Sequence, residues 1–326
     1  MGTIQRSPFR PAWWLPGPHL QTLWPSLSRP RPRPDLARRR IELADGDFID
    51  LAVGKAAGRR VLVIHGLEGG LDSHYAASLV ARLEQEGFQP IFMFLRGCSG
   101  EPNRLDRAYH SGATEDLAEV LNALGSDPEG PPAAAVGFSL GANLLLKYLG
   151  ENERPAVETA IAVSVPFVLR DAMIRLDIGF SRIYQRHLIG KLKTSVRRKF
   201  EGRTFPLPVD LDAIHDFNGF DDAITAPLNG FAGIFDYYSR ASCRQYLPDI
   251  TTRTLIIQAV DDPFMFPTTI PWEHELGPGV ILELSEQGGH VGFIAGSWPW
   301  RVHYWLEDRI IQGLRELEAD PGAART

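Results

Sequence analysis

From residue 40 onward, short apolar runs alternate with amphipathic stretches, and the alternation predicts the elements. Arg40–Leu43 and Phe48–Val53 read as two strands around the turn Asp45-Gly46-Asp47, a hairpin signal. Arg60–Ile64, Pro90–Leu95, Ala133–Val136 and Thr159–Val163 are apolar runs of strand length. Between them, the spacing predicts helices over about Ser73–Gln85, Thr114–Leu124 and Ser139–Leu149. The alternation stops between about Pro166 and Leu247, where aromatic and basic stretches take over. It returns with strands Thr254–Val260 and Val280–Leu284, a short helical region near Ile270–Leu276, and a closing helix over about Trp300–Leu317. Strands that are apolar along their whole length and alternate with helices predict a mostly parallel sheet covered on both faces.

This organisation divides the chain. Residues 40–165 and 248–318 form the core, 166–247 a mostly helical cap inserted over it, and 319–326 a frayed tail. Residues 1–39 read as an irregular arm, because Pro8, Pro11, Pro16, Pro18 and Pro25 interrupt it before the run Arg29-Pro30-Arg31-Pro32-Arg33-Pro34. Its Trp13, Trp14 and Trp24 are too apolar to hang in water, so they pack on the core or meet substrate or lipid.

Composition narrows the function. The 326 residues carry 34 Lys and Arg against 40 Asp and Glu, a formal charge of -6 that argues against nucleic acid as a partner. No apolar run is long enough for a membrane span, and the start of the chain has no basic-then-apolar leader pattern. The two cysteines, Cys98 and Cys243, read as free thiols in a reducing compartment, which makes the cytoplasm the expected location. No His-Glu-x-x-His or paired Cys-x-x-Cys suggests a metal, and no cofactor is expected. Oligomeric state leaves no mark on the sequence.

Candidate chemistry begins at Gly137-Phe138-Ser139-Leu140-Gly141, between the apolar strand Ala133–Val136 and a helix. A serine on such a strand-to-helix turn is strained, with its hydroxyl projecting above the sheet, and flanking glycines remove Cβ atoms where strand and helix crowd. This is the nucleophile turn of the α/β-hydrolase fold, which makes Ser139 the candidate nucleophile. An alcohol needs a base, and the base an orienting carboxylate, in the order Ser, Asp or Glu, His. Of nine histidines, His290 lies in the loop after the last predicted core strand, in Gln287-Gly288-Gly289-His290-Val291-Gly292. His19, His65, His74, His110, His187 and His215 come too early, and His274 and His303 lie in helical contexts. Asp261 and Asp262 both follow the strand Thr254–Val260; the small-x-x-Asp pattern Ala259-Val260-Asp261-Asp262 favours Asp262. The other aspartate would then hold backbone amides in the turn. The oxyanion would be bound by the N–H groups of Leu140 and of Leu67, in the loop His65-Gly66-Leu67-Glu68-Gly69-Gly70, which His65 orients.

Longer motifs carry a resemblance. Phe94-Leu95-Arg96-Gly97-Cys98-Ser99-Gly100-Glu101-Pro102-Asn103-Arg104 with Tyr109-His110-Ser111-Gly112, Pro18-His19-Leu20-Gln21-Thr22, His65 to Gly69, Gly179 to Arg186 and Gly288 to Phe293 resemble the YheT-like branch of the α/β-hydrolases. The resemblance covers nearly the whole chain. It implies an esterase or lipase-like hydrolase whose triad falls on Ser139, Asp262 and His290. The chain departs from the branch by reading Gly141-Ala142-Asn143 where Gly-Gly-Asn is usual, and by having no N-terminal span like that of the membrane-anchored relatives. An ion pair between Arg96 and Glu101 is expected to hold its loop, with an anionic substrate group on Arg96 or Arg104 as the alternative. Phe180 and Tyr184 would line an acyl pocket or pack in the cap.

The expected function is hydrolysis of small-molecule carboxylic esters with short to medium acyl chains, through an acyl-enzyme on Ser139, with transient lipid contact possible. The alternatives are an acyltransferase or thioesterase using the same residues, or a non-catalytic binding protein on the same fold.

Overall fold

A computed structural model of the chain describes residues 1–319. The expected frayed tail, residues 319–326, lies outside the described residues apart from its first. Nine strands form one sheet: β1 (Thr3–Arg6), β2 (Leu36–Glu42), β3 (Phe48–Gly54), β4 (Arg59–Ile64), β5 (Phe88–Met93), β6 (Ala134–Phe138), β7 (Thr159–Val163), β8 (Arg253–Ala259) and β9 (Val280–Ser285). They run in the order β1-β9-β8-β7-β6-β4-β5-β3-β2 across it. β3 is antiparallel to both β2 and β5, and every other pairing is parallel. A short hairpin of β10 (Ile294–Trp298) and β11 (Arg301–Tyr304) stands apart.

Alternation along each strand feeds two apolar layers. Leu62 and Ile64 of β4 join one with Leu117, Val120 and Leu145, from helices α3 (Thr114–Gly125) and α4 (Leu140–Glu151). Helix α1 (Pro18–Ser28) belongs to the arm, and α2 (Ala76–Gln85) covers the other face of the sheet. There Val61 and Val63 meet Leu79 and Leu83 of α2 and Ile310 and Leu314 of the last helix, Trp305–Ala319. Each such buried side chain contributes about 1.5–3 kcal/mol of transfer free energy, so the central strands are the most expensive place to lose volume.

Residues 166–247 carry α5 (Leu169–Leu176), α6 (Arg182–Lys199), the consecutive pieces Phe217–Phe220, Asp221–Thr225 and Ala226–Leu228, and the helix Ile234–Ala241. Leu176, Tyr184, Ile189, Leu192, Phe217 and Phe220 form a cluster of their own, and Leu67 and Phe264 of the core pack against it. Among the described residues, no helix is long and apolar enough to cross a membrane.

Four expectations change. The arm is not irregular: β1 adds a parallel edge strand to β9, and α1 is an eleven-residue helix. Proline at the first helical position costs nothing, which is why Pro18 opens α1 instead of preventing it; Pro25 sits inside the helix. Strand β2 already begins at Leu36. Trp300 lies in the β10–β11 hairpin, so the closing helix starts at Trp305; the alternation of Trp298, Trp300 and Val302 has the period of a strand. Near Ile270–Leu276 there are only two single 3₁₀ turns, Pro267–Thr269 and Glu273–Glu275. Trp14 packs edge-on against Trp24 beneath the hairpin, whereas Trp13 stays 67% exposed with its Nε1 donating to Ser297 O at 2.8 Å.

Arg96 and Glu101 do not pair. Arg96 is 3% exposed and points beneath its loop, where it donates to both oxygens of Asp116 at 2.8 and 2.7 Å. Its Nη1 lies 2.9 Å from Asp47 Oδ2, and the Nη2 that meets Asp116 also lies 2.9 Å from Asp45 Oδ2, so it ties the hairpin turn to the first turn of α3. Glu101, at the exposed tip, pairs instead with Arg40 at 2.6 Å and Arg38 at 3.4 Å. Removing a buried cation leaves its carboxylates uncompensated. Arg96→Met should therefore lower stability by about 3–5 kcal/mol in urea unfolding. A loss typical of exposed ion pairs, under about 1 kcal/mol, would contradict this role.

Candidate active site

Ser139 sits between β6 and α4 with φ 52° and ψ -116°, left-handed backbone that a residue with a Cβ rarely adopts. Its N–H donates to Val163 O at 2.9 Å, pinning the turn to β7. A Cβ on Gly141 would stand 2.5 Å from His65 O and 2.6 Å from Ile64 O, so only glycine lets α4 approach β4 this closely. The serine hydroxyl is thereby aimed over the carboxyl end of the sheet.

His290 lies in the loop after β9 and is 8% exposed. Its Nε2 is 3.0 Å from Ser139 Oγ, and its Nδ1 is 2.8 Å from Asp262 Oδ2. An ionised carboxylate only accepts, so Nδ1 carries the proton and Nε2 is left to accept from the serine hydroxyl. Asp262 Oδ1 accepts from the Phe264 N–H at 2.8 Å, and the Phe264 ring stacks on the imidazole at 3.9 Å. Asp261 faces away and accepts from the Gly289 N–H at 3.0 Å; burial raises its carboxyl above the usual range. Of the two aspartates, only Asp262 meets His290.

The arm holds this loop in place, a role that pattern reading did not find. Thr22 Oγ1 accepts from the His290 N–H at 2.9 Å. Gln21 Oε1 accepts from the Ile294 N–H at 2.7 Å, and Gln21 Nε2 donates to Ile294 O at 3.1 Å. The Pro18-His19-Leu20-Gln21-Thr22 motif is thus a bracket for His290, a role that its residues alone do not disclose. Gly289, at φ 62°, passes close by: a Cβ there would meet Pro18 O and Thr22 Oγ1 at 2.6 Å.

The loop after β4 is held residue by residue. Gly66 N–H donates to Tyr75 OH at 2.9 Å, Glu68 N–H to Tyr109 OH at 2.9 Å, Gly69 N–H to Gly66 O at 3.1 Å and Gly70 N–H to Ser73 Oγ at 3.2 Å. The N–H of Leu67, like that of Leu140, has no acceptor among the described residues. His65 is fully buried and its pKa falls to about 4 through desolvation, so it is neutral. Its Nδ1 donates to Gly66 O at 2.6 Å while Nε2 accepts from the Leu95 N–H at 3.0 Å. The side chain therefore braces the loop.

A cleft open at its mouth runs from Ser139 and Leu140 between core and cap. Its walls are mainly apolar, with Leu67, Met173, Leu192, Val196, Phe220 and Ile224 among them. Asp221 lines it from the π-helical turn of the cap, accepting from Tyr238 OH at 2.8 Å and Thr225 Oγ1 at 2.7 Å. Phe180 and Tyr184 do not line the cleft: Tyr184 is buried in the cap cluster against Phe264, and Phe180 packs on His19. Arg104 is engaged with Glu42 and Gly46 O on the surface, away from the cleft. Cys98 and Cys243 are free, and no cluster of metal-ligating side chains occurs among the described residues.

A mostly parallel sheet with a serine on the β6–α4 turn and a histidine in the loop after its last strand, β9, defines the class, that of the α/β-hydrolases. The family described as alpha/beta hydrolase fold matches residues 59–297. The chain belongs to that family, and within it to the YheT-like branch. It is 43% identical over 302 residues to YheT of Escherichia coli, an esterase by name, covering 90% of this chain and 88% of that one. A protein of Mus musculus named as a phospholipase is 28% identical over 330 residues, covering 96% of this chain and 79% of that one. The solved structure of a Pyrococcus furiosus esterase has a TM-score of 0.56 at 16% identity over 86% of this chain and 92% of that one, a likeness of fold alone.

Burial raises Asp221 from its ordinary 3.8 to about 6. A carboxyl raised on folding contributes stability below its unfolded value, and that contribution is lost as pH rises through the folded value. The wild type should therefore lose roughly 3 kcal/mol relative to Asp221→Asn, which cannot ionise, between about pH 4 and 6. Parallel thermal-melting profiles of the two proteins over that window would contradict a buried, neutralised Asp221.

Proposed function

We propose that the chain hydrolyses carboxylic esters of short to medium acyl chains through an acyl-enzyme on Ser139. One observation carries the reading: His290 touches Ser139 Oγ at 3.0 Å and Asp262 Oδ2 at 2.8 Å, at the head of an apolar cleft. His290 Nε2 takes the hydroxyl proton as Ser139 Oγ attacks the ester carbonyl. Asp262 keeps Nδ1 protonated and stabilises the imidazolium that forms. The carbonyl oxygen, as it becomes an oxyanion, draws the unpartnered N–H groups of Leu67 and Leu140, which face no competing protein acceptor. The imidazolium returns its proton to the leaving alcohol, and His290 then activates water to release the acid.

The wall chemistry supports an acyl group in the cleft, since Met173, Leu192, Phe220 and Ile224 offer contact without hydrogen bonds. The esterase and phospholipase names of the relatives agree with an acyl ester. The expected location remains the cytoplasm, and the chemistry requires no metal or organic cofactor.

Turnover of a p-nitrophenyl ester series should be strongest at short to medium chain length. Ser139→Ala should lower kcat by at least about 10³-fold, and Asp262→Asn by about 10²–10⁴-fold. Asp261→Asn should cost less than about 10-fold, because its partner is a backbone amide. Undiminished hydrolysis by Ser139→Ala would refute the assignment, and equal losses at the two aspartates would refute the choice between them.

A further inference from the structure

We propose that Glu68 is a positioning residue that makes the oxyanion donor at Leu67 depend on the seating of cap helix α6. The inference rests on the ester-hydrolase reading above, in which Glu68 performs no chemical step.

Glu68 is gripped from the core and from the cap. On the core side, the Tyr109 hydroxyl accepts from its N–H at 2.9 Å and donates to its Oε1 at 2.8 Å, closing a ring around the residue. On the cap side, Ser195 Oγ donates to Oε2 at 2.5 Å, and Lys191 Nζ donates to the Glu68 carbonyl at 3.2 Å. Ser195 and Lys191 are one helical turn apart on α6, so a single face of that helix reaches both the side chain and the backbone of Glu68.

The backbone shows what the grip is for. Glu68 has φ 50°, a left-handed conformation that a glutamate keeps only where its surroundings impose it. Leu67 stands between two anchored amides, Gly66 on Tyr75 and Glu68 on Tyr109. Its own N–H is left unpartnered, and its side chain packs against the cap cluster. Lifting α6 removes two of the four hydrogen bonds at Glu68 and leaves Tyr109 alone to hold a strained residue. The loop then relaxes, and the Leu67 N–H turns away from the carbonyl oxygen above Ser139. A substrate that fills the cleft and keeps the cap seated completes its own oxyanion site, whereas a poorly fitting one meets an incomplete site.

The test uses the full-length protein and a p-nitrophenyl ester that it turns over. Ser195→Ala, a small change on a helix, should lower kcat by about 10- to 100-fold with KM within about two-fold and an unchanged melting temperature. Glu68→Ala should do the same, and Glu68→Gln, which still bridges the two hydroxyls, should recover most of the loss. The Glu68→Ala/Ser195→Ala double variant should lose no more than Glu68→Ala, because both act through one contact. If Glu68→Ala fails to fold, Ser195→Ala alone decides. A wild-type kcat in Ser195→Ala, a loss confined to KM, or additive losses would overturn the inference while Ser139-dependent turnover stands. Turnover that survives Ser139→Ala would instead overturn the ester-hydrolase reading, and the inference with it.

Discussion

The close approach of α4 to β4 at Gly141 is the constraint on which the rest of the site depends. With no Cβ there, the helix N-terminus sits directly over the backbone carbonyls of Ile64 and His65. That contact forces the chain to turn sharply at Ser139, which accepts a left-handed φ, and it brings the loop after β4 alongside the loop of the serine. Without it, the unpartnered N–H groups of Leu67 and Leu140 would not share one neighbourhood, and the serine hydroxyl would not project toward His290. Backbone strain of this kind costs about 1–3 kcal/mol, and here the packed layers of α4 and the central strands sustain it.

Much of this was legible in the chain, for physical reasons that differ from residue to residue. The central strands are buried on both faces, so they are apolar throughout and their order with the helices could be read directly. Ser139 was visible because its turn needs glycines at fixed offsets, and His290 and the two aspartates because they leave the ends of recognisable strands. The arm is hard to read because its proline density obscures the strand and helix it forms. Proline is costly inside a helix but free at its first position, and β1 is held by its neighbour β9, not by its own propensity. The sequence suggests an Arg96–Glu101 pair holding their loop, whereas burial turns Arg96 toward Asp45, Asp47 and Asp116, residues brought to it by the hairpin and by α3. Contacts set by tertiary placement leave little local signature, which is also why the motifs that hold Gln21, Thr22 and Tyr109 do not disclose what those residues brace.

Each group at the candidate site is supported by a segment distant in sequence. The arm brackets the His290 loop, and α6 reaches the loop after β4 through Glu68. Asn143, one turn into α4, ties Ser111 O and Ala241 O together at 2.8 Å, linking core to cap. In this arrangement the cap is more than a wall for the acyl chain: its position sets the geometry of the groups that would act on the ester carbonyl. Substrate fit and catalytic competence are then properties of the same contact.

The central claim is that Ser139 becomes acylated, and trapping that intermediate tests it most directly. The protein would be mixed with a p-nitrophenyl ester, quenched in acid within the first turnovers, digested, and its peptides weighed by mass spectrometry. The expected result is one acyl group on the peptide that contains Ser139, and none on that peptide in Ser139→Ala. An unmodified Ser139 peptide during sustained hydrolysis, or an acyl group on a different residue, would contradict it.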